Sequence, residues 1–465
     1  MSEYTPEQLS EYISKIFNAV LSTKNISSTY IVLIAFASLF VDAYDQAGIS
    51  FAISSYTNYF SYVSSWLQSF GLSSIAIGAA VGSAIGGWLT DRIGRRSMFL
   101  VNMTLFTVAA LLAGISTNIF EFSAFRIALG FAVGADTATG FAYIFEYLER
   151  NQRLKWSNYW QLAWYPMYLA TIGFLIVPYF LITGSLTDPF LWRVVMFVGA
   201  GLGLILLILR SRMPESIMWE AYRGRIGTAK RLLMEKYGII VDVPDVDQVV
   251  RRPARSLRSL FKVYRSEKWK VLLFAIIGAQ AINLSFYSYG YFFPYLITIL
   301  GFKGSIAKIE ADSVVYAAGV VGGFLSGALT LKIGTKRLWE IGAWGMAGSV
   351  TLDALTYAFH LPLDIFVAGT TLYIFFESLC VSNLITTINA SYSVEERGTA
   401  TGWYYFWAKI ASIVGLAGGL TYLNAVRLST MIFYVVILSV AALIGLLVED
   451  ATKITPPELQ AVRAK

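Results

Sequence analysis

The stretch GGWLTDRIGRRSMFL at residues 86–100 sets four charged side chains between two long apolar runs. The whole chain of 465 residues is 56% hydrophobic and only 14% charged, which excludes an ordinary soluble protein. A helix of about 20 apolar residues crosses the hydrocarbon core of a bilayer. Residues 98–115 and 431–448 are stretches of this kind. The sequence therefore predicts a membrane protein whose charges gather in short loops.

Twelve such stretches are present when those interrupted by glycine or polar residues are included. They begin near residues 29, 71, 96, 121, 156, 192, 269, 312, 337, 363, 398 and 429. The pattern predicts an all-α membrane protein with twelve transmembrane helices, numbered here as spans one to twelve. An even number of spans places both termini on the same side of the membrane.

Charge placement predicts the orientation of the chain, because Lys and Arg accumulate in cytoplasmic loops. Residues 211–270 contain fourteen Lys and Arg against seven Asp and Glu, whereas residues 51–68 contain no charge. We therefore expect this basic linker and both termini in the cytoplasm, with the protein in the cell membrane. The formal net charge of +7 is explained by topology, so nucleic-acid binding is not expected.

The opening stretch is repeated once in the chain. Residues 82–99 align without gaps on residues 322–339, at a constant offset of 240. Arg92 corresponds to Lys332 in this alignment, while Asp91 corresponds to Leu331. Duplicated halves are common in membrane transporters, so we predict two six-helix halves joined by the linker. The predicted domains are an N-terminal surface helix at 1–28, the halves at 29–210 and 269–449, the linker at 211–268 and a cytoplasmic tail at 450–465.

The amino terminus lacks the basic and apolar segments of a secretion signal. Its apolar residues recur at helical spacing after Thr5-Pro6, which predicts a short amphipathic helix on the membrane surface. The chain has one cysteine, Cys380, and one histidine, His360. A disulfide within the chain is excluded and a His-based metal site is not expected. No nucleophile motif or nucleotide loop occurs either, so neither an enzyme nor a cofactor is predicted.

The charged stretch itself carries a family resemblance. Residues 87–96 resemble the G-x-L-x-D-R-x-G-R-R loop between spans two and three of the major facilitator superfamily. The resemblance implies a cytoplasmic hinge that binds neighbouring helix ends in one conformation and releases them in the other. A plain anchor of positive charge is the alternative. The implied gating residues are Gly87, Asp91, Arg92, Gly94, Arg95 and Arg96.

Charges within predicted spans indicate the functional site, because each costs about 2.5–3.5 kcal/mol at mid-membrane on insertion scales. Asp42 and Asp45 in span one share a helix face, and span four contains Arg126 and Asp136. Burial favours a protonated acid, whereas a nearby cation favours the carboxylate. We therefore expect Asp45 and Arg126 to form a proton-coupling pair, with Asp42 and Asp136 as further proton carriers. A static salt bridge between spans one and four is the alternative.

Most of the amino-terminal half also resembles the proton-linked sugar porters. Residues 44–50 are similar to their GYD-x-x-x-ISG stretch, and residues 126–134 to their R-I-x-x-G-x-x-x-G. The resemblance implies that Asp45 and Arg126 are the coupling pair and that Gln161 contacts the substrate. Bonding between helices is an equal alternative for Gln161. Further implied gating residues at the cytoplasmic face are Glu146, Arg153, Glu215 and Arg397.

The carboxy-terminal half departs from that group, because span seven lacks the Q-Q-x-x-G-x-N run and Ala390 replaces a glutamate. The D-A-Y-D at residues 42–45 also resembles phosphate symporters. A sugar requires amides, hydroxyls and aromatic rings, whereas an anion requires an uncompensated cation. Lys409 is expected to reach the membrane surface or to pair with Glu377. The predicted substrate-binding residues are Gln161, Trp164, Tyr168, Gln280, Asn283, Tyr287, Tyr291, Asn383 and Trp403.

These residues favour a sugar or polyol over an inorganic anion, with carboxylates between the two. The sequence thus predicts a secondary active transporter that works by alternating access, with protons, the solute and the bilayer as partners and a monomer as the working unit. The alternatives are a carboxylate or phosphate symporter, a drug or metabolite exporter of the same fold, and a sensor that binds solute without moving protons.

Overall fold

The computed structural model of the chain describes residues 5–22, 27–147, 150–247, 261, 264–265, 268–300, 304–392, 394–423 and 428–454. Regular structure in these ranges is helical, without strands. Eight helices in the described ranges are long and apolar enough to cross a membrane. Large apolar side chains such as Leu204, Ile205, Val436 and Leu443 are exposed on the helices Leu191–Ser211 and Leu428–Ile444, as expected of surfaces that face lipid.

The amino-terminal half contains spans one to six. Span one is α2 (Ser27–Phe51), span two α4 (Ser65–Ile93), span three α5 (Arg95–Ile115), span four α6 (Ile119–Tyr147) and span six α10 (Leu191–Ser211). Span five comprises α7 (Arg150–Asn158), α8 (Gln161–Thr171), a π-helical turn (Ile172–Ile176) and α9 (Val177–Thr183). Outside this frame lie α1 (Pro6–Ser22) before span one and the short α3 (Ile53–Tyr59) after it.

The linker and the carboxy-terminal half repeat this plan. The linker contains α11 (Ile217–Tyr222) and α12 (Ile226–Tyr237). Span seven comprises α13 (Trp269–Ser285), a π-helical turn (Phe286–Gly290) and α14 (Phe293–Ile299). Spans eight to twelve are α15 (Ser305–Ile333), α16 (Thr335–Ala358), α17 (Leu363–Ser391), α18 (Val394–Leu423) and α19 (Leu428–Ile444), followed by a 3-10 turn (Gly445–Leu447).

Every predicted span corresponds to a helix, and the helices begin at most seven residues before the predicted starts. The largest differences occur where polar residues lie inside a helix. Asp312, expected at the start of span eight, is buried seven residues into α15. Four long helices, α2, α6, α16 and α18, are less apolar over the residues that the structure describes. Each contains buried or half-buried charges that protein surrounds in place of lipid: Asp42, Asp45, Arg126, Asp136, Asp353 and Lys409.

Small residues bring α4 and α6 into backbone contact, as the spacing of Gly78, Gly82 and Gly86 predicts. A Cβ atom at Gly82 would collide with the carbonyl of Phe131, and one at Gly134 would collide with the carbonyl of Ala79. The same helix α4 also packs on α18 of the other half. Span two therefore lies at the interface between the halves.

The amino-terminal helix forms where it is predicted. Thr5 and Gln8 cap it reciprocally, since Gln8 N donates to Thr5 Oγ1 at 3.3 Å and Thr5 N donates to Gln8 Oε1 at 3.1 Å. Protein covers much of its apolar face. Leu9, Ile16 and Val20 are buried against linker residues that include Ile217 of α11. Contact of this helix with the membrane surface stays a prediction.

Candidate functional site

The predicted coupling pair is formed. Arg126 of α6 donates through Nη1 to both carboxylate oxygens of Asp45 on α2, each at 2.6 Å. The side chains are 1% and 3% exposed. Asp42, one turn earlier, is also buried but accepts a hydrogen bond from Gln46 Nε2 at 3.0 Å. The two acids of span one therefore differ in their partners. Asp45 has a cation in contact, whereas Asp42 has no cation within 4.0 Å in the described part of the chain.

Asp136 does not join this pair. Its two carboxylate oxygens accept hydrogen bonds from Nη1 of Arg210, each at 2.8 Å, and both side chains are 0–1% exposed. The guanidinium group of Arg210 also lies 4.2 Å from the ring centroid of Phe99. Sequence reasoning missed Arg210, because a basic residue at the end of an apolar run is typical of a cytoplasmic anchor. Its burial inside the amino-terminal half makes it a partner of span four.

A cavity of about 720 Å³, partly open to solvent, lies between the two halves. Both halves line it: the amino-terminal half contributes spans one, four and five, and the carboxy-terminal half contributes spans seven, ten and eleven. Of the predicted substrate-binding residues, Gln161, Trp164, Asn283 and Tyr287 line it. Tyr291 lines an adjoining cavity of about 320 Å³ that reaches Arg126. These cavities bring Asp42 and Arg126 close to these five predicted binding residues.

Tyr168 lies at the edge of this site, stacked on Trp164 with ring centroids 6.3 Å apart. Three other predicted binders line neither cavity, and their binding role stays a prediction. Gln280 Nε2 donates to the carbonyl of Trp407, while Asn383 donates back to carbonyls of its own helix. Trp403 packs against Phe261 and Tyr264. The rotation of each helix about its axis decides these outcomes, and sequence leaves that rotation open.

Glu377 of α17 is the cavity residue whose role the sequence did not predict. Its carboxylate accepts hydrogen bonds from Tyr165 Oη at 2.6 Å and from Gln161 Nε2 at 3.3 Å. These bonds join span five of one half to span ten of the other. The expected pairing of Lys409 with Glu377 is absent among the described ion pairs. Lys409 instead lies 5.8 Å from the ring centroid of Tyr287.

The hinge after span two has the geometry that the duplicated motif predicts. Gly94 has a φ of 107°, and any side chain there would contact the Glu215 carboxylate. Glu215 Oε1 accepts from the backbone N–H groups of Arg95 and Arg96 at 2.8 and 3.1 Å, at the positive end of α5. Arg96 Nη2 in turn donates to the carbonyl of Ser211 at 3.0 Å. The hinge therefore ties span three to the end of span six.

The second half contains the same hinge. Gly334 has a φ of 87°, and Asp450 takes the place of Glu215 by accepting from the N–H groups of Thr335 and Lys336, each at 3.3 Å. Lys336 Nζ donates to the carbonyl of Leu446 at 2.9 Å, as Arg96 does to Ser211. Asp450 was not predicted. The sequence feature that could have identified it is its position after span twelve, which matches the position of Glu215 after span six.

The remaining gating residues are partly described. Gly87 is buried in α4, and the guanidinium of Arg92 lies 4.2 Å from the ring centroid of Trp88. The side chains of Asp91, Glu146, Arg153 and Arg397 lie outside the described part of the structure, so their gating roles stay predictions.

The halves contact one another on both sides of the cavity. On the side of the two hinges, Asn158 Nδ2 donates to Thr330 Oγ1 at 2.7 Å, and Thr386 Oγ1 donates to Asn158 Oδ1 at 3.1 Å. Toward the other face, Ser50 Oγ donates to the carbonyl of Tyr291. The conformation thus has hydrogen bonds across the halves above and below the central cavity.

Comparison with known proteins identifies the class. The family described as "Sugar (and other) transporter" matches residues 30–462, and the chain belongs to this family. One relative, the niacin transporter NiaP of Acinetobacter baylyi, is 24% identical over 410 residues, which cover 83% of this chain and 85% of the relative. Another, the arabinose-proton symporter of Bacillus subtilis, is 26% identical over 374 residues, which cover 77% and 78%. The protein is a membrane transporter and not an enzyme.

Solved structures identify the fold. The major facilitator superfamily proton:xylose symporter XylE bound to 6-bromo-6-deoxy-D-glucose matches with a TM-score of 0.74 and 20% identity, covering 97% of this chain and 99% of that one. The inward open conformation of XylE from E. coli matches with a TM-score of 0.69 over 94% of this chain and 99% of that one. The twelve-helix arrangement in two halves is that of the major facilitator fold.

Proposed function

We propose that this protein is a proton symporter for a neutral polyhydroxylated solute, a sugar or a polyol. The observation that carries the proposal is the pair of Gln161 and Glu377 on the wall of the central cavity, with the buried Tyr165 hydroxyl bonded to Glu377. An amide and a carboxylate at one wall provide the mixed donors and acceptors that sugar hydroxyls require. Aromatic rings of Trp160 and Trp164 supply the apolar surface beside them. Relatives named as arabinose-proton symporters support the same solute class.

Proton coupling is assigned to Asp45 and Arg126. In contact with Arg126, Asp45 is an ionised carboxylate; when Arg126 moves away during closure, the buried acid takes up a proton. Alternating access then carries proton and solute together, because both sit at the interface between the halves. Asp42 and Asp136 are retained as further proton carriers, and the working unit is a monomer.

The test uses purified protein in liposomes that contain a pH-sensitive dye. Arabinose, hexoses, polyols, carboxylates including nicotinate, and phosphate are added in turn while the internal pH is recorded. We expect acidification with a sugar or polyol, and loss of that signal in Asp45→Asn. Asp188→Asn is the matched control, because Asp188 accepts its hydrogen bond in the exposed connection before α10.

Three outcomes would change the proposal. Acidification with a carboxylate or with phosphate would show that the transported solute is an anion and not a sugar or polyol. Entry of labelled sugar without any change of internal pH would leave a uniporter in which Asp45 and Arg126 form a structural bridge. Acidification that survives in Asp45→Asn would assign the proton to another acid.

We also propose that both termini face the cytoplasm of the cell membrane, on the basis of the basic linker. Cys380 is buried, so single cysteines introduced at exposed positions report topology. In intact cells, a membrane-impermeant maleimide should label Ser185→Cys in the connection after α9 but not Ser10→Cys in α1. The reverse pattern would invert the orientation.

A further inference from the structure

Three side chains line both cavities: Asp42 of α2, Tyr287 of span seven and Lys409 of α18. They separate the central cavity from the smaller one, which reaches Arg126. Asp42 and Lys409 each lie fifteen residues after the first residue of their helix. At 1.5 Å per residue this is about 22 Å along each axis, so the two charges lie at similar depth in opposite halves.

Asp42 is the acid of span one whose charge is free to change. The carboxylate of Asp45 already has Arg126 at 2.6 Å from both oxygens, whereas Asp42 accepts only the neutral amide of Gln46. A buried carboxylate without a cation in contact gains most from binding a proton. A proton arriving from the central cavity meets Asp42 first, because Asp42 lines that cavity and Asp45 does not.

Lys409 is the matching unpaired cation. No Asp or Glu lies within 4.0 Å of its ammonium group in the part of the chain that the structure describes. Its electrostatic partners are the Tyr287 hydroxyl and the Asp42 carboxylate. A lysine stem of four carbons with a compact, rotatable head group moves readily between two such partners. Lys409 therefore lies across the cavity from Asp42. Its ammonium group can contact either the Asp42 carboxylate or Tyr287.

We propose that Asp42 and Lys409 form a proton-controlled electrostatic contact between the two halves of the transporter. When Asp42 is ionised, its attraction to Lys409 draws α2 and α18 together beside the outer contact of Ser50. When Asp42 binds a proton, the attraction ends, and the outer ends of the halves separate. Asp42 in this scheme accepts one proton and Lys409 stays an ammonium ion throughout. The contact adds a step to the proposed proton symport and rests on that function for its physiological role.

The described groups that face this pair are an ion pair, three tyrosines and one further acid. Arg126 lies 2.6 Å from the Asp45 carboxylate, and Glu377, which lines the same cavity, accepts hydrogen bonds from Gln161 and Tyr165. The tyrosines are Tyr168, Tyr287 and Tyr405. Because Asp45 and Glu377 are also acids, the variants of Asp42 and Lys409 are what assign a pH response to this pair.

The experiment measures the distance between halves without any solute. Spin labels are placed at Ser61 and Phe359, exposed positions of the outer connections of the two halves, in a Cys380→Ser background. Distance distributions are recorded by electron paramagnetic resonance on purified protein at pH 5 and pH 8. We expect the original protein to populate a longer distance at pH 5 than at pH 8. Asp42→Asn and Lys409→Gln should each show the longer distance at both pH values, and the double variant should equal the single ones.

Two controls keep the result specific. Lys270→Gln removes an exposed lysine at the start of α13 and should retain the pH response. Lys409→Arg keeps the positive charge and should therefore retain the pH-dependent change in distance. This result would show that Lys409→Gln loses the change because the charge is gone and not because the variant misfolds. A pH response that persists in Lys409→Gln, or no response in the original protein, would overturn the inference.

The liposome assay separates this inference from the proposed function. If the original protein acidifies the liposomes and Lys409→Gln accumulates solute to the same level, the contact is refuted while symport stands. If Lys409→Gln also loses exchange of solute in the absence of a pH gradient, Lys409 binds the solute directly and the proposed contact is again refuted. Absence of acidification with any solute refutes symport alone, and the distance measurement still decides the contact.

Discussion

The buried pair of Asp136 and Arg210 gives the sharpest prediction about stability. Both side chains are 0–1% exposed, and one guanidinium nitrogen lies 2.8 Å from each carboxylate oxygen. Removing one partner of such a pair leaves an unpaired charge in a dry interior, which costs about 3–5 kcal/mol. Arg210→Met and Asp136→Leu alone should each lower the free energy of unfolding by this amount. Replacing both together should be neutral or should stabilise by about 1–4 kcal/mol, since apolar side chains then fill the site.

The assay is the equilibrium unfolding of purified protein in mixed micelles with increasing SDS, followed by tryptophan fluorescence. Arg193→Met is the matched control, because it removes an arginine from the other end of α10, where the side chain is only half-buried. A fall for Arg210→Met no larger than that of Arg193→Met would refute the reasoning. So would a double variant less stable than either single one. Loss of liposome acidification in the double variant would support Asp136 as a proton carrier, and retained acidification would assign the proton to Asp45 or Asp42.

Three further predictions concern the hinges and contacts between helices. Partial burial alone would raise the pKa of Asp450, but hydrogen bonds from Thr452 and from the N–H groups of Lys336 and Thr335 lower it below the usual range. Its folded-state pKa lies below the unfolded value, so its stabilisation is present above the unfolded pKa and is lost as the pH falls through the folded pKa. Asp450→Asn should therefore flatten the acid side of a plot of melting temperature against pH, and an unchanged acid side would contradict this. Gly134→Ala should destabilise the protein by about 1–3 kcal/mol, because the new methyl group meets the Ala79 carbonyl. Gly201→Ala is the control and should not destabilise it, because the space around Gly201 is open. Equal melting temperatures of the two variants would refute the packing argument. Asn158→Ala should lengthen the distance between spin labels at Ser211 and Lys332, which lie beside the two hinges, while Asn118→Ala should leave it unchanged.

The repeat at an offset of 240 predicted the hinges because their geometry is local. A glycine in the left-handed region followed at once by a helix start defines the turn at Gly94 and at Gly334 alike. The ion pair of Asp45 with Arg126 was predictable for a different reason, since a charge inside a span requires a partner and Arg126 lies within span four of the same half.

The residues that sequence reasoning missed are those whose role depends on contacts between distant segments. Arg210 meets a carboxylate 74 positions earlier, and Glu377 meets Gln161 216 positions earlier. A span that is apolar on most sides has no hydrophobic face to fix its rotation. For that reason the pattern could not separate Asn283, which lines the cavity, from Gln280, which bonds to the backbone of α18.

The distribution of strong and weak contacts accounts for movement of the halves as units. In the described part of the chain, the two ion pairs with both members buried, Asp45 with Arg126 and Asp136 with Arg210, lie within the amino-terminal half. The polar contacts described between the halves are hydrogen bonds, such as those of Gln161 with Glu377 and Asn158 with Thr330. Breaking a buried ion pair costs about 3–5 kcal/mol, whereas a typical hydrogen bond contributes a net 0.5–1.5 kcal/mol or so. A cycle that opens and closes the interface therefore breaks the hydrogen bonds between the halves and preserves the buried ion pairs. An ion pair breaks only where binding of the solute or of a proton supplies the extra free energy.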